Sequence, residues 1–177
     1  VRGYQPTILA CAKHYLADGG TAGGRDQGDA QLDEATLRAI HLPGYRAVIA
    51  AGVGSVMASF SSWNGQKMHG HRDLLTDVLK GELGFSGVLV SDWAGIDQLP
   101  GDYASDVETA VNAGIDMVMI PDRYAAFTST LKGLVQSGRV PLSRVDDAVR
   151  RILRKKAELG LFERPKADRS LLPQVGS

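Results

Sequence analysis

The sequence predicts an α/β fold with parallel strands, about four βα units long, which is the content of half a (β/α)8 barrel. Three observations carry this. Short apolar runs rich in β-branched residues recur at roughly 30-residue spacing. Each run is continuous rather than alternating, as strands buried on both faces of a parallel sheet read. A helical pattern fills each gap, the order in which right-handed βαβ units are written. A closed eight-stranded barrel takes ~250 residues, and this chain has 177.

The strand candidates are Thr7 to His14, Ser55 to Ser59, Val88 to Asp92 and Met117 to Pro121. The first helical pattern, Asp33 to Gly52, starts acidic, and "LPGY" at 42–45 is expected to kink or divide it. The second, His71 to Gly84, puts Leu74, Leu75, Val78, Leu79 and Leu83 on one face and ends at a capping glycine. Tyr103 to Gly114 and Tyr124 to Gly138 also finish at glycine. In the last, Ser143 to Gly160, Ser143 reads as N-cap with Asp146 in a capping-box position, and Val145, Val149, Ile152 and Leu153 share helical spacing. Residues 1–162 are therefore read as a partial (β/α) barrel, and 163–177, polar and proline-bearing, as the start of an interdomain linker.

With 44% hydrophobic and 23% charged residues, the composition is that of a soluble globular domain. Twenty basic residues balance twenty acidic ones, so no overall field attracts nucleic acid or an anionic membrane. The short run "RRILRKK" at 150–156 reads as a solvated helix face. No stretch reaches the apolar length of a membrane span, and the first ten residues lack a signal-like pattern. The single cysteine, Cys11, sits in an apolar run and reads as a buried, inert thiol.

Several motifs point away from cofactors. "DGGTAGGRDQGD" has no Gly-Lys-Ser/Thr, and the glycines of "AGVGS" precede a strand instead of linking strand to helix, so neither is a nucleotide loop. His69 and His71 in "MHGH" have no further ligand at metal spacing and are expected at a helix N-terminus. No cofactor and no metal are expected.

In a parallel α/β barrel the chemistry sits at the C-terminal strand ends, and here those ends are polar: "AKHYLADGGT", "ASFSSWN", "VSDW" and "MIPD". An aspartate such as Asp92 could cap the following loop. Its place, ending a buried strand and followed by Trp93, favours a pocket floor where a sugar ring stacks on the indole and presents its anomeric carbon to the carboxylate. Lys13 and His14 are adjacent, so they face opposite ways unless the strand bends; a surface lysine beside a structural histidine is the alternative. Met57 and Trp63 read as core residues that could also line the pocket.

The segments "KHYLADGGTAGGRDQGD", "SSWNGQKMHGHRDLLTDVLKGELGFSGVLVSDWAGID" and "AVNAGIDMVMIP" together resemble the β-glucosidase and exo-β-glucan glucohydrolase branch of the family 3 glycoside hydrolases, over about nine tenths of the chain. The resemblance implies the C-terminal half of a TIM-like (β/α)8 barrel. It implies Asp92 as catalytic nucleophile, Lys13 and His14 as holders of glucose hydroxyls, and Met57 and Trp93 as pocket walls. The implied substrate is a β-glucoside or β-glucan oligosaccharide. The hexosaminidase branch carries an Asp-Ser-His dyad where this chain has Gly24, Arg25 and Asp26, which disfavours that activity.

A retaining glycosidase needs a second carboxyl group ~5–5.5 Å from the nucleophile. On the resemblance it comes from a following α/β-sandwich domain, so the chain is expected to be a fragment of doubtful activity by itself. Open barrel edges predict a homo-oligomer, such as a dimer restoring eight strands. The resemblance also suggests a periplasmic or extracellular location. Two other readings compete: a non-catalytic self-associating half-barrel, and a Schiff-base aldolase using Lys13.

Overall fold

The computed structural model describes residues 8–166 and 169–176. In chain order its strands are β1 (Cys11–Tyr15), β2 (Asp29–Ala30), β3 (Ser55–Ala58), β4 (Ser62–Trp63), β5 (Gln66–Lys67) and β6 (Val88–Val90). Its α-helices are α1 (Glu34–Thr36), α2 (Leu42–Ala50), α3 (Tyr103–Ala113), α4 (Tyr124–Gln136) and α5 (Leu142–Glu158). Two helical segments, Leu37–His41 and Asp73–Glu82, are wound with π geometry.

Three of the expected strands form one parallel sheet in the order β1-β3-β6. Val56, Ala58 and Leu89 are fully enclosed, as continuous apolar runs require when helices cover a parallel sheet. Part of the first run, Thr7, lies outside the described residues. The fourth run is not a strand. Met117 makes a single parallel bridge to Val90, and side chains then take the places of ladder partners. The Asp116 carboxylate accepts the Leu89 N–H at 2.9 Å, and the Ser91 hydroxyl accepts the Met119 N–H at 2.7 Å. Among the described residues the parallel sheet therefore has three strands, not four.

A second sheet, β2-β4-β5, was not anticipated. Its β4–β5 hairpin turns on Asn64 and Gly65, whose φ values of 48° and 85° suit the Asn-Gly pair that two-residue hairpin loops favour. Trp63, on β4, donates its indole N–H to the Leu32 carbonyl at 2.7 Å and tilts against His71, so it packs as a core residue.

The first helical pattern forms where expected. Asp33 caps it by accepting the Thr36 N–H at 2.7 Å. The division at "LPGY" appears as the π turn Leu37–His41, after which Pro43 sits in the first turn of α2, where its missing N–H is harmless. The second pattern buries Leu74, Leu75, Val78 and Leu79 as foreseen, although its turns are wider than an α-helix: the Leu83 N–H reaches the Val78 carbonyl, five residues back. Gly84, at φ 65°, closes it. In α5 the expected cap is wrong. The helix begins at Leu142 with Pro141 at the N-cap, and Ser143 lies inside the first turn with no capping bond. Val149 and Leu153 are exposed, so the burial face of α5 is narrower than its spacing suggested.

Two further expectations are corrected. Cys11 is exposed, because β1 is an edge strand. "RRILRKK" is not wholly solvated: Arg151 donates to the Phe85 and Gly87 carbonyls just before β6 and to Asp147. That bond belongs to a buried ionic cluster centred on Asp116, whose side chain is enclosed. Its carboxylate accepts from Lys80 at 2.7 Å and from Arg144, joining the Asp73–Glu82 helix to α5 beneath β6. Burial pushes the Lys80 ammonium down to about 8 even though Asp116 pulls the other way.

Candidate active site

Because β1, β3 and β6 are parallel, their C-terminal ends gather Lys13 and His14, Met57, and Ser91 to Trp93 on one edge. On β1, Ala12 pairs with Val56 but Tyr15 with Ala58, so three steps of β1 match two of β3. Lys13 and His14 occupy that bulge, and the peptide bond between them is cis. Lys13 is exposed, and its side chain has no hydrogen-bond or ion-pair partner among the described residues. His14 is half-buried. Its Nδ1 lies 3.0 Å from Asp18 Oδ2 and its Nε2 3.5 Å from Asp92 Oδ2.

Asp92 follows β6 by two residues, and nearly every polar atom it owns is engaged. Its N–H donates to His69 Nε2 at 2.9 Å. Its carbonyl accepts from the Gly95 N–H at 3.0 Å and from the Ser91 hydroxyl at 2.9 Å. Oδ1 accepts the Trp93 N–H at 2.7 Å. Oδ2 remains, facing His14, on a side chain that is 16% exposed. The carboxylate is thus oriented by its own turn and by His69, and presents one oxygen outward.

Met57 is half-buried and pairs with Val90, two residues before Asp92. Trp93 is 62% exposed, an open indole face beside the carboxylate. The site lies open on the Trp93 side. A cavity of about 510 Å³ lies elsewhere, around Arg72, Lys80, Arg139 and Arg144; it marks the ionic cluster, not the polar strand ends.

His69 is fully buried in the Met68–Gly70 turn, which follows β5. Burial pushes its imidazole down to about 4; Asp92 pulls upward and Lys67 adds to the depression. Between the ordinary value of 6.5 and about 4, the unfolded chain takes up a proton that native His69 refuses, so stability falls as pH drops through that window. The expected loss is roughly 3 kcal/mol at most. Urea midpoints between pH 7 and 4 should show it, and the His69→Gln variant should show a shallower fall.

The profile of the glycosyl hydrolase family 3 N terminal domain matches residues 1–155. The chain belongs to glycosyl hydrolase family 3. It is 40% identical over 167 residues to the lysosomal beta glucosidase of Dictyostelium discoideum, covering 90% of this chain and 20% of that protein. It is 35% identical over 164 residues to the periplasmic beta-glucosidase of Salmonella typhimurium, covering 90% and 21%. Among solved structures it is similar to the exo-1,3/1,4-beta-glucanase of a Pseudoalteromonas species, with a TM-score of 0.82 at 46% identity over 87% of this chain and 19% of that one. The beta-glucosidase of Listeria innocua in complex with isofagomine gives a TM-score of 0.85 at 31% identity, over 93% and 24%. The family 3 chain spans about a fifth of the length of the curated relatives it matches.

Of the residues singled out in this family 3 sequence, the structure brings His14 and Asp92 into contact. It places Lys13, Met57 and Trp93 at the same strand ends. Sequence reasoning missed two groups. Asp18, four residues after His14, holds the ring from behind; the interval alone gives no signal, because it runs through the end of β1 and the turn at Leu16 and Ala17. His69 was assigned to a helix N-terminus, and that is corrected: only His71 stands there, its Nδ1 accepting the Leu74 N–H at 3.5 Å. His69 instead reaches Asp92, a contact across 23 residues.

Proposed function

We propose that this family 3 chain carries the nucleophile side of a retaining, exo-acting β-glucosidase or β-glucan glucohydrolase. The observation that supports it most is Asp92 at the C-terminal end of β6, with Oδ1 tied to the Trp93 N–H and Oδ2 unspent. Asp92 Oδ2 attacks the anomeric carbon of a terminal glucose, the bond to the leaving oxygen breaks, and a glycosyl ester forms. Water then cleaves the ester and restores the carboxylate. Lys13 and His14 hold ring hydroxyls, while Met57 and Trp93 wall the sugar. The leaving oxygen takes its proton from a general acid that, on the family pattern, belongs to a second domain. The similarity to the much longer Pseudoalteromonas and Listeria chains accords with reading the sheet and its helices as part of a larger barrel; we take it as the C-terminal half of a TIM-like barrel, with 163–177 as the start of a linker.

The test is intact-mass analysis of the folded chain after incubation with a 2-deoxy-2-fluoro-β-glucoside bearing an activated leaving group. Such a group departs without a proton donor, so the assay does not need the general acid. One sugar added per chain is expected; no added mass on a folded chain contradicts the proposal.

Exposed apolar groups favour a second property. Ile8 is 57% exposed beside the β1 edge, and Phe162 is 60% exposed beyond α5, with Val149, Leu153 and Leu161 also open. Such an edge and face seek a partner, and we propose self-association into a dimer. Light scattering across a concentration series should give twice the chain mass; a monomer throughout would contradict this. A self-associating chain without turnover would label nothing in the trapping assay. The aldolase reading loses support, because Lys13 is exposed and a Schiff-base lysine needs a desolvated setting. A periplasmic or extracellular location accords with the periplasmic Salmonella relative, while the Dictyostelium relative is lysosomal.

A further inference from the structure

The bonds that fix Asp92 divide by origin. Ser91, Trp93 and Gly95 belong to its own turn, whereas His69 comes from another segment of the fold. That remote tether is sterically keyed. A Cβ on Gly95 would sit 2.4 Å from His69 Nε2 and Cε1, so the imidazole fits against the Asp92 turn only because residue 95 is a glycine. Phe60 flanks the ring at a centroid distance of 5.8 Å.

His69 is a costly way to fill this space. Accepting the Asp92 N–H at Nε2 leaves the ring proton on Nδ1, and Nδ1 is buried with no hydrogen-bond partner among the described residues. An unpaired buried donor costs energy that a leucine of similar size would avoid. The feature that a leucine lacks is an acceptor aimed at the backbone of Asp92.

We propose that His69 is a positioning residue for the Asp92 carboxylate: its unprotonated Nε2 pins the Asp92 N–H and so holds Oδ2 at the sugar-facing edge. The proposal rests on the glycosyl-enzyme reading above. It assigns His69 no contact with substrate. Its effect is on the maximum rate of glycosylation rather than on sugar affinity, since a carboxylate displaced by a fraction of an ångström binds nothing differently but attacks less often.

The experiment measures labelling of the 177-residue chain by the fluoroglucoside at several concentrations, giving a maximum rate and a half-saturating concentration. His69→Leu, which removes the acceptor, should lower the maximum rate roughly tenfold to a hundredfold with the half-saturating concentration unchanged. His69→Gln, whose amide oxygen can accept the Asp92 N–H, should recover most of it. Labelling of His69→Leu at the wild-type rate, or no difference between the leucine and glutamine variants when both are folded, overturns the proposal. If His69→Leu does not fold, long-range ¹H–¹⁵N spectra of the wild type decide: Nε2 at the shift of an unprotonated ring nitrogen at pH 7 supports it, and a protonated Nε2 overturns it. Failure of the folded wild type to label sinks the glycosyl-enzyme reading itself, and is recognised because no substitution is involved.

Discussion

Asp92→Asn should form no glycosyl adduct while folding as well as the wild type. The amide is nearly isosteric, and its oxygen can keep the Trp93 N–H bond that Oδ1 makes now at 2.7 Å. What changes is the outward atom: a carboxylate oxygen becomes an NH2 group with no lone pair to give the anomeric carbon. Removing the nucleophile of a catalytic unit lowers rate by about 10⁴-fold or more. The adduct should therefore vanish on any practical timescale, while circular dichroism and the urea midpoint stay close to wild type. A variant that still labels at a measurable rate would place the nucleophile elsewhere. A variant that unfolds would show that Asp92 is structural first.

Asp116→Ala should have the largest effect on stability. The enclosed Asp116 side chain accepts from Lys80, Arg144 and the Leu89 N–H. Removing it takes away the enclosed counter-charge of Lys80 and Arg144, leaves them only the half-buried Asp147 carboxylate and backbone carbonyls, and strands a sheet N–H without its acceptor. Breaking a buried pair from one side costs about 3–5 kcal/mol, a large part of the roughly 5–15 kcal/mol that holds a typical domain together. A fall in melting temperature of roughly 10 °C is expected for a chain of this size. The double variant Asp116→Ala, Lys80→Met should be less destabilised than the single one, because one of the two cations that lose Asp116 is gone. Additive losses would mean that Asp116 acts through Leu89 and Arg144 rather than through Lys80.

The parallel sheet was legible because its code is local. Val88 to Val90 and Ser55 to Ala58 are continuous apolar runs, and nothing distant was needed to identify them. The fourth strand fails to form for a physical reason. Met117 to Pro121 has the right composition, but Asp116 and Ser91 side chains bond the backbone groups that a ladder would use, and a residue pattern does not show which acceptor a given N–H will find. The small second sheet was missed although Asn64-Gly65 announces a hairpin, because its strands are two residues each. Ser143 misled because it is a good capping residue that falls inside the first turn.

At the site, Asp92 could be read from its position at a strand end, and so could Lys13, His14, Met57 and Trp93 as its neighbours in space. The contacts that give the carboxylate its orientation could not. Asp18 depends on the turn that follows β1, and His69 on how the β4–β5 hairpin sits against the Asp92 turn. The exposure of Lys13 and Trp93 is likewise a property of packing rather than of residue type.

The central claim is that Asp92 Oδ2 forms the bond to sugar, and peptide mapping of the trapped chain tests it most directly. After labelling with the fluoroglucoside and proteolysis at low pH, tandem mass spectra should place the added mass on Asp92. A label on Asp18, Asp97 or any other carboxylate would contradict the account, because it would show that the oxygen presented beside His14 is not the one that attacks.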